Sequence, residues 1–362
     1  MRFEPGDKMK EIPVTEVCSV EIGQVEDRDA GTGCTVFIGR DGMRTGVDVR
    51  GGAPASRDSQ QLNPLMTNEL IHAIVLGGGS AFGLAASDGV MKYLEEAGIG
   101  FDVGVTKVPL VVQSDIFDLT VGDKNVRPDA RMGFEAAKTA MTAPNYKDGN
   151  YGAGCGATVG KIKGMDTCMK TGIGSFAVAI GDLKIGAVVV LNALGDVYDW
   201  KNGMKIAGLR SGDNTGFSDT MDVMRSGILP KENKFIENTT ISVVMTNAQF
   251  AKTKLCKIAG MAHDGYARSI HPVHSSADGD TIYVVSLGDV KADMDLVGSL
   301  AAEVVSEAII RAVETAESAY GFPCRKDAFQ LDGDRFHEIV EEGFLQRRVI
   351  NGSAGQGSVP CM

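Results

Sequence analysis

A strand-forming run opens on a threonine. Apart from Ser242, residues Thr239 to Met245 are β-branched or apolar, and a polar link ending in Glu237-Asn238 leads into them. Alone, a strand that begins on Thr is ordinary. Upstream, however, stands Val190-Leu191-Asn192, and downstream stands Asp278-Gly279-Asp280-Thr281, both at the edges of expected strands, where side chains can converge. Together these residue types suit one chemistry. An interior threonine hydroxyl can attack the carbonyl before it, pass through an ester and leave a new chain start. The freed α-amine, with an ordinary pKa of about 7.7–8.0, then acts as the base for its own hydroxyl. Such a site needs a group to tune that amine, for which Asp278 or Asp280 is available, an oxyanion donor, for which Asn192 is suited, and a cation, for which Lys161 is available. The expectation is a chain that cuts itself between Asn238 and Thr239 and then uses Thr239 as a hydrolytic nucleophile.

Other constellations compete. His263, His271 and His274 fall close to Asp278 and Asp280, and histidine with carboxylate would suit zinc or another divalent ion. No His-Glu-x-x-His is present, and His263 falls on an expected helix, where packing or capping explains it. A metal-dependent hydrolase is nevertheless the enzyme alternative, and an uncut, non-catalytic binding protein of the same fold is the alternative from another class. Gly77-Gly78-Gly79-Ser80-Ala81-Phe82-Gly83 is only superficially a dinucleotide fingerprint, because its glycines miss the Gly-x-Gly-x-x-Gly spacing. Ser80 is not in a nucleophile elbow, since Phe82 takes the second glycine position of Gly-x-Ser-x-Gly. Cys155, inside Gly152-Ala153-Gly154-Cys155-Gly156, has no histidine near it in sequence; so many small residues imply backbones in close approach.

The elements that must hold these residues can be read in order. Gly33–Ile38 and Thr45–Val49 are expected strands, with Asp41-Gly42 as a hairpin turn between them. The loop Gly51–Pro64 has no periodicity and lines a surface or interface. A strand over Glu69–Leu76 leads through the glycine turn into a helix ending near Ala97, stopped by Gly98. A buried strand over Val108–Leu119 and a helix over Ala130–Met141 follow. Two strands joined by Gly181-Asp182 span Phe176–Asp196. Leu209–Asn233 is patternless, which marks a functional or mobile segment. Helical spacing covers Phe250–Ile270 and Val297–Tyr320, with a strand over Thr281–Ser286 between them. Arg335–Phe344 reads as a last helix before a Gly/Ser tail. Strands that come in antiparallel-looking pairs favour α+β layers over a purely parallel sheet.

Bulk properties narrow the class. With 362 residues, 43% hydrophobic and 23% charged, the chain is an ordinary globular sequence able to bury a full core. A net charge of −11 without a basic cluster argues against nucleic acid or an anionic membrane as partner. No window reaches the length of a membrane span, and residues Met1 to Thr15 contain no signal-peptide core. The seven cysteines include no Cys-x-x-Cys pair and read as reduced thiols in a cytoplasmic protein.

The chain resembles the L-aminopeptidase/D-esterase (DmpA-like) peptidases, a family that includes β-peptidyl aminopeptidases and nylon-oligomer endohydrolases. Motifs from about Cys18 to Glu317 carry the likeness, in the family's order. Early ones are Thr32-Gly33-Cys34-Thr35-Val36, Val49-Arg50-Gly51-Gly52-Ala53-Pro54 and Gly78-Gly79-Ser80-Ala81-Phe82-Gly83-Leu84. The glycine run at 152–157 comes next, then Val190–Asp196, Asn238-Thr239-Thr240, Met261–Gly265 and Asp278–Thr281. The resemblance implies a four-layer αββα sandwich, cut into residues 1–238 and 239–362, working without a cofactor as a homo-oligomer of processed αβ units on a small peptide or amide. Thr after Asn places it nearer the nylon-oligomer branch. By resemblance Thr239 is the nucleophile, Asn192 the oxyanion-side asparagine, and Asp278 and Asp280 the paired aspartates. Lys161 matches the family lysine, with Lys170 as runner-up. A pocket tyrosine of the family falls near Phe117, so one hydroxyl is missing there.

Overall fold

Strands buried on both faces carry near-continuous apolar runs, and the central strands of this protein do so because each separates two cores. The structure, a computed structural model, describes residues 9–227 and 238–329. The main elements are β1 (Glu21–Asp27), β2 (Thr32–Val49), β3 (Ile71–Gly77), α1 (Ala86–Glu96), β4 (Val111–Asp115) and α2 (Ala130–Thr142) in the first part. They continue with β5 (Ile173–Ile180), β6 (Leu183–Asn192), β7 (Thr239–Ala248), α3 (Lys252–Ser269), β8 (Thr281–Val290) and α4 (Met294–Glu314).

One half of the strand system runs β5-β6-β7-β8 and pairs β8 with the C-terminal half of β2. The other half holds β1, the N-terminal half of β2, β3, β4 and a short strand at Ala55–Arg57. The β7–β8 and β3–β4 pairings are parallel and the other pairings among these strands are antiparallel. Alternate residues along each strand enter different cores. Val188, Val190, Ile241, Val243, Met245 and Tyr283 meet Phe37, Ile74 and Leu76 between the two sheet halves. The opposite faces, with Val189, Leu191, Val244 and Val284, pack on Leu255, Ile258 and Tyr266 of α3 and on Leu300, Val304 and Ile309 of α4. Val36, Ile38 and Val75 pack on Val90 and Leu94 of α1 and on Ala136 and Ala140 of α2. Helices, sheet, sheet, helices: the protein is an α+β, four-layer αββα sandwich.

Several expectations are corrected. Asp41-Gly42 is not a hairpin turn: β2 runs unbroken through it, with a register irregularity between Ile38 and Met43 where the strand passes from one sheet half into the other. The loop after Gly51 contains the Ala55–Arg57 strand and a 3₁₀ turn at Ser59–Leu62. The segment from Leu209 is not patternless. Arg210 bridges to Phe217, and Asp219 caps a short helix, Thr220–Arg225, by accepting from the N–H groups of Met221 and Asp222. Residues 228–233 of that segment, and the helix expected at Arg335–Phe344, lie outside the described residues.

Candidate active site

The sheet topology brings the site together. β6 runs antiparallel to β7, so its last residue lies beside the first residue of β7, and Asn192 is in register with Thr239. β8 runs parallel to β7 after the α3 crossover, so the turn that enters β8 lies at the same end of the sheet. That turn is Asp278-Gly279-Asp280, and Asn238 forms a parallel bridge with Asp278. Thr239, Asn192, Asp278 and Asp280 are all buried.

The Asn238–Thr239 peptide is tightly held. The Thr239 hydroxyl donates to the Asn238 carbonyl oxygen at 2.5 Å, and the Gly279 N–H donates to the same oxygen at 2.8 Å. Glycine is required at position 279 by this approach, because a Cβ there would stand 2.7 Å from Thr239 Oγ1. Asp280 accepts the Thr240 N–H on Oδ1 at 2.8 Å. Its Oδ2 accepts from the backbone N–H of His274 at 3.0 Å and bonds to His274 Nδ1 at 2.8 Å. Asp278 Oδ2 accepts from the N–H and hydroxyl of Ser275, at 2.8 and 2.5 Å. Burial, reinforced by the neighbouring Asp280 charge, pushes the Asp278 carboxyl up from its ordinary value.

The loop after β2 straps this turn. Arg50 N–H donates to Asp280 O at 3.0 Å and Ala53 N–H to Asp278 O at 2.8 Å. Gly51 has no room for a side chain, since a Cβ would lie 2.3 Å from both Asp278 O and Asp280 N. The segment expected to line a surface therefore braces the paired aspartates.

Asn192 is fixed from three sides. Lys161 Nζ donates to its Oδ1 at 2.7 Å, the Thr158 N–H donates to the same oxygen at 3.1 Å, and its own Nδ2 donates to Phe117 O at 3.1 Å. Lys161 is buried, and desolvation holds its ammonium down at about 7 despite the opposing pull of Cys168, Asp278 and Asp118. Lys170 is equally buried but points elsewhere: Nζ donates to the carbonyls of Gly154, Ala157 and Thr171 at 3.3, 3.2 and 2.5 Å. Of the two candidate lysines, the one brought to Asn192 is Lys161. Phe117 contributes its backbone carbonyl to the site.

Of the three candidate histidines the structure brings His263 and His274 together, edge to face with ring centroids 4.8 Å apart, but His271 lies elsewhere and no metal site forms among the described residues. His271 Nε2 bonds to Ala267 O and its ring lies against Tyr198, while His263 Nε2 bonds to Asp48 O and His274 to Asp280. Among the described residues no group of three or more His, Cys, Asp or Glu side chains is arranged to hold a metal ion. Burial lowers the His263 imidazole to about 4, which fits a packed neutral ring. His274 is the residue whose role the motif reading missed. Its spacing from Asp280 was visible, but not the left-handed backbone (φ 58°) that folds it back onto the carboxylate. The Gly77–Gly83 turn is a packing device: Gly79 N–H donates to Asp118 at 2.7 Å, and a Cβ on Gly83 would lie 1.9 Å from Gly78 O. Burial also raises the Cys155 thiol, which disfavours a thiolate nucleophile.

The four-layer α+β sandwich is the architecture of the DmpA-like variant of the Ntn-hydrolase fold. Two solved structures share the architecture at 20% and 16% identity. A protein from Pyrococcus horikoshii OT3 superposes with a TM-score of 0.64 over 94% of this chain and 96% of that one. The L-aminopeptidase D-Ala-esterase/amidase from Ochrobactrum anthropi does so with a TM-score of 0.63 over 91% and 93%. Peptidase family S58 matches residues 13–326, and the chain belongs to that family, as a hydrolase acting on amide bonds. An uncharacterized aminopeptidase of Mycobacterium leprae is 33% identical over 86% of this chain and 92% of its own length. The 6-aminohexanoate-oligomer endohydrolase of Kocuria sp. strain KY2 is 30% identical over 82% of this chain and 84% of its own.

Proposed function

We propose that the protein is a self-processing amide hydrolase of aminopeptidase type, or one acting on short amide oligomers, with Thr239 as its nucleophile. The observation that carries this reading is the contact of the Thr239 hydroxyl with the Asn238 carbonyl, inside a buried cluster that also holds Asn192 and the paired aspartates. Cleavage gives chains 1–238 and 239–362. The new α-amine of Thr239 then takes the proton from its own hydroxyl as that hydroxyl attacks the substrate carbonyl, and later delivers it to the leaving amine. Asn192 turns Nδ2 from the Phe117 carbonyl to the developing oxyanion, and the Lys161 ammonium on its Oδ1 strengthens that donor. Asp280 and Asp278 hold the backbone at the nucleophile and balance the new ammonium. Neither a cofactor nor a metal takes part. The substrate is a small peptide or amide, and the working form is a cytoplasmic homo-oligomer of cut αβ units.

The test pairs a denaturing gel with an amidase assay on amino-acid p-nitroanilides. The unaltered chain should run as two bands and hydrolyse at least one member of the panel. Thr239→Ala should run as one band and be inactive. An active Thr239→Ala chain would refute the assignment, and activity abolished by chelation would return the reaction to a metal.

A further inference from the structure

We propose that the backbone N–H of Gly279 is the oxyanion donor for the self-cleavage step, and that Asn192 is reserved for turnover. This rests on the self-processing reading and deepens it by assigning the two reactions different donors. In the uncut chain the Asn238 carbonyl oxygen, where negative charge must develop, already accepts the Gly279 N–H at 2.8 Å. Asn192 is committed elsewhere: its Nδ2 donates to Phe117 O at 3.1 Å, and its Oδ1 is held by Lys161 and Thr158. The Gly279 N–H is also rigidly aimed. Its flanking carboxylates are clamped by Ser275 on one side and by His274 and Thr240 on the other, and Asn238 N–H returns a bond to Ala277 O at 3.0 Å. A bond of this kind is an ordinary rung between parallel strands. What sets this one apart is that its acceptor is also the carbonyl against which the Thr239 hydroxyl sits, with no Cβ at 279 to push that hydroxyl away.

The step balances as an acyl shift followed by hydrolysis. Thr239 Oγ1 bonds to the Asn238 carbonyl carbon, and the carbonyl oxygen takes the negative charge against the Gly279 N–H. The bond from that carbon to the Thr239 nitrogen then breaks. The proton lost from Oγ1 ends on the departing nitrogen, giving an ester and a free amine. Water then cleaves the ester to an Asn238 carboxylate and a free Thr239 hydroxyl. Once Asn238 has left, the substrate carbonyl meets the oxyanion donor of turnover, Asn192.

The experiment is cell-free synthesis of the full chain with either glycine or glycolic acid at position 279. The glycolic acid replaces only that N–H by an ester oxygen. The fragment beginning at Thr239 is followed by mass over time, and resistance to a trace protease reports folding. The ester chain should cut itself about 100-fold more slowly than the glycine chain, the usual cost of one lost oxyanion donor. A folded ester chain that cuts at the rate of the glycine chain overturns the assignment of Gly279. A glycine chain that never cuts refutes the self-processing reading itself. If the ester chain does not fold, amide hydrogen exchange in the uncut Thr239→Ala chain decides: Gly279 N–H should exchange at least about 100-fold more slowly than an open peptide. Exchange at the open rate would remove the proposed donor.

Discussion

Lys161 donates from a buried Nζ to Oδ1 of Asn192 across 2.7 Å, while Lys170, buried just as deeply, donates to three backbone carbonyls. The difference predicts separable phenotypes. Asn192→Ala should lower kcat by about 10²–10³ with little change in KM, as removal of an oxyanion donor does. Lys161→Met should lower kcat in the same sense by about tenfold or more, because it removes a charge-assisted bond that polarises the asparagine. Lys170→Met should instead cost stability, about 1–3 kcal/mol, chiefly because Thr171 O loses its donor while the Gly154 and Ala157 carbonyls keep the N–H groups of Ala157 and Thr171, and leave kcat of the folded fraction near its original value. Steady-state kinetics alongside urea unfolding reads both effects. Equal kcat losses for the two lysine variants would contradict the division of roles.

His274 acts through Asp280, whose other oxygen holds the Thr240 N–H. Removing the ring should loosen the backbone at Thr239, the proposed nucleophile, and leave substrate contacts unchanged. His274→Ala is expected to lower kcat by about tenfold at unchanged KM. His274→Asn should recover most of that loss, because asparagine offers an N–H donor at a similar place and accepts the left-handed backbone at φ 58°. No recovery in the asparagine variant would show that the imidazole itself is needed.

Stability should respond to pH in an unusual sense. Burial raises Asp118 to about 6 and raises Asp278 as well, and it lowers Lys161 to about 7 and Lys170 to about 8. From the ordinary 3.8 up to about 6, the folded chain keeps carboxyl protons that the unfolded chain has lost, so rising pH favours unfolding. From about 7 or 8 up to the ordinary 10.5, the unfolded chain keeps ammonium protons that the fold has shed, so rising pH favours folding. These groups together place a stability minimum between about pH 6 and about pH 7, with an acid limb made shallower by His263, whose lowered imidazole favours folding as pH rises from about 4 to the ordinary 6.5. Urea midpoints of the uncut Thr239→Ala chain, taken on both sides of that window, check it, and Lys161→Met should flatten the alkaline limb. A maximum inside the window would show that the buried charges are compensated otherwise.

Packing of the outer helices gives a prediction independent of the chemistry. α1 and α2 meet through Gly89 and Gly133, where a Cβ would lie 1.7 Å from Ala130 O and 1.9 Å from Ala86 O. Gly133→Ala should destabilise the chain by about 1–3 kcal/mol or more by forcing the helices apart, with self-cleavage of the folded fraction unaffected. An unchanged urea midpoint would mean that this helix pair moves apart freely.

The parts of this architecture readable from the chain are those set by local pattern. The apolar runs of β6, β7 and β8 are long because both faces are buried, so Asn192, Thr239 and Asp278–Asp280 stood out as the polar ends of core strands. Asp41-Gly42 misled because a turn dipeptide also suits an irregularity in a strand that changes sheets, and only the partners of β2 distinguish the two. Lys161 and Lys170 both follow stretches of small residues, and nothing local says which ammonium meets Asn192. The His274–Asp280 bond depends on one left-handed residue in a turn, and the bracing of that turn by Arg50–Ala53 depends on a contact between distant parts of the chain.

The central claim is that the Asn238–Thr239 bond is broken by Thr239. Intact-mass measurement of the purified protein under denaturing conditions tests it most directly. The account predicts two species, residues 1–238 and 239–362, the second beginning with a free threonine amine, and a single uncut species for Thr239→Ala. An active enzyme that stays as one chain, or a fragment beginning at Thr240, would contradict it.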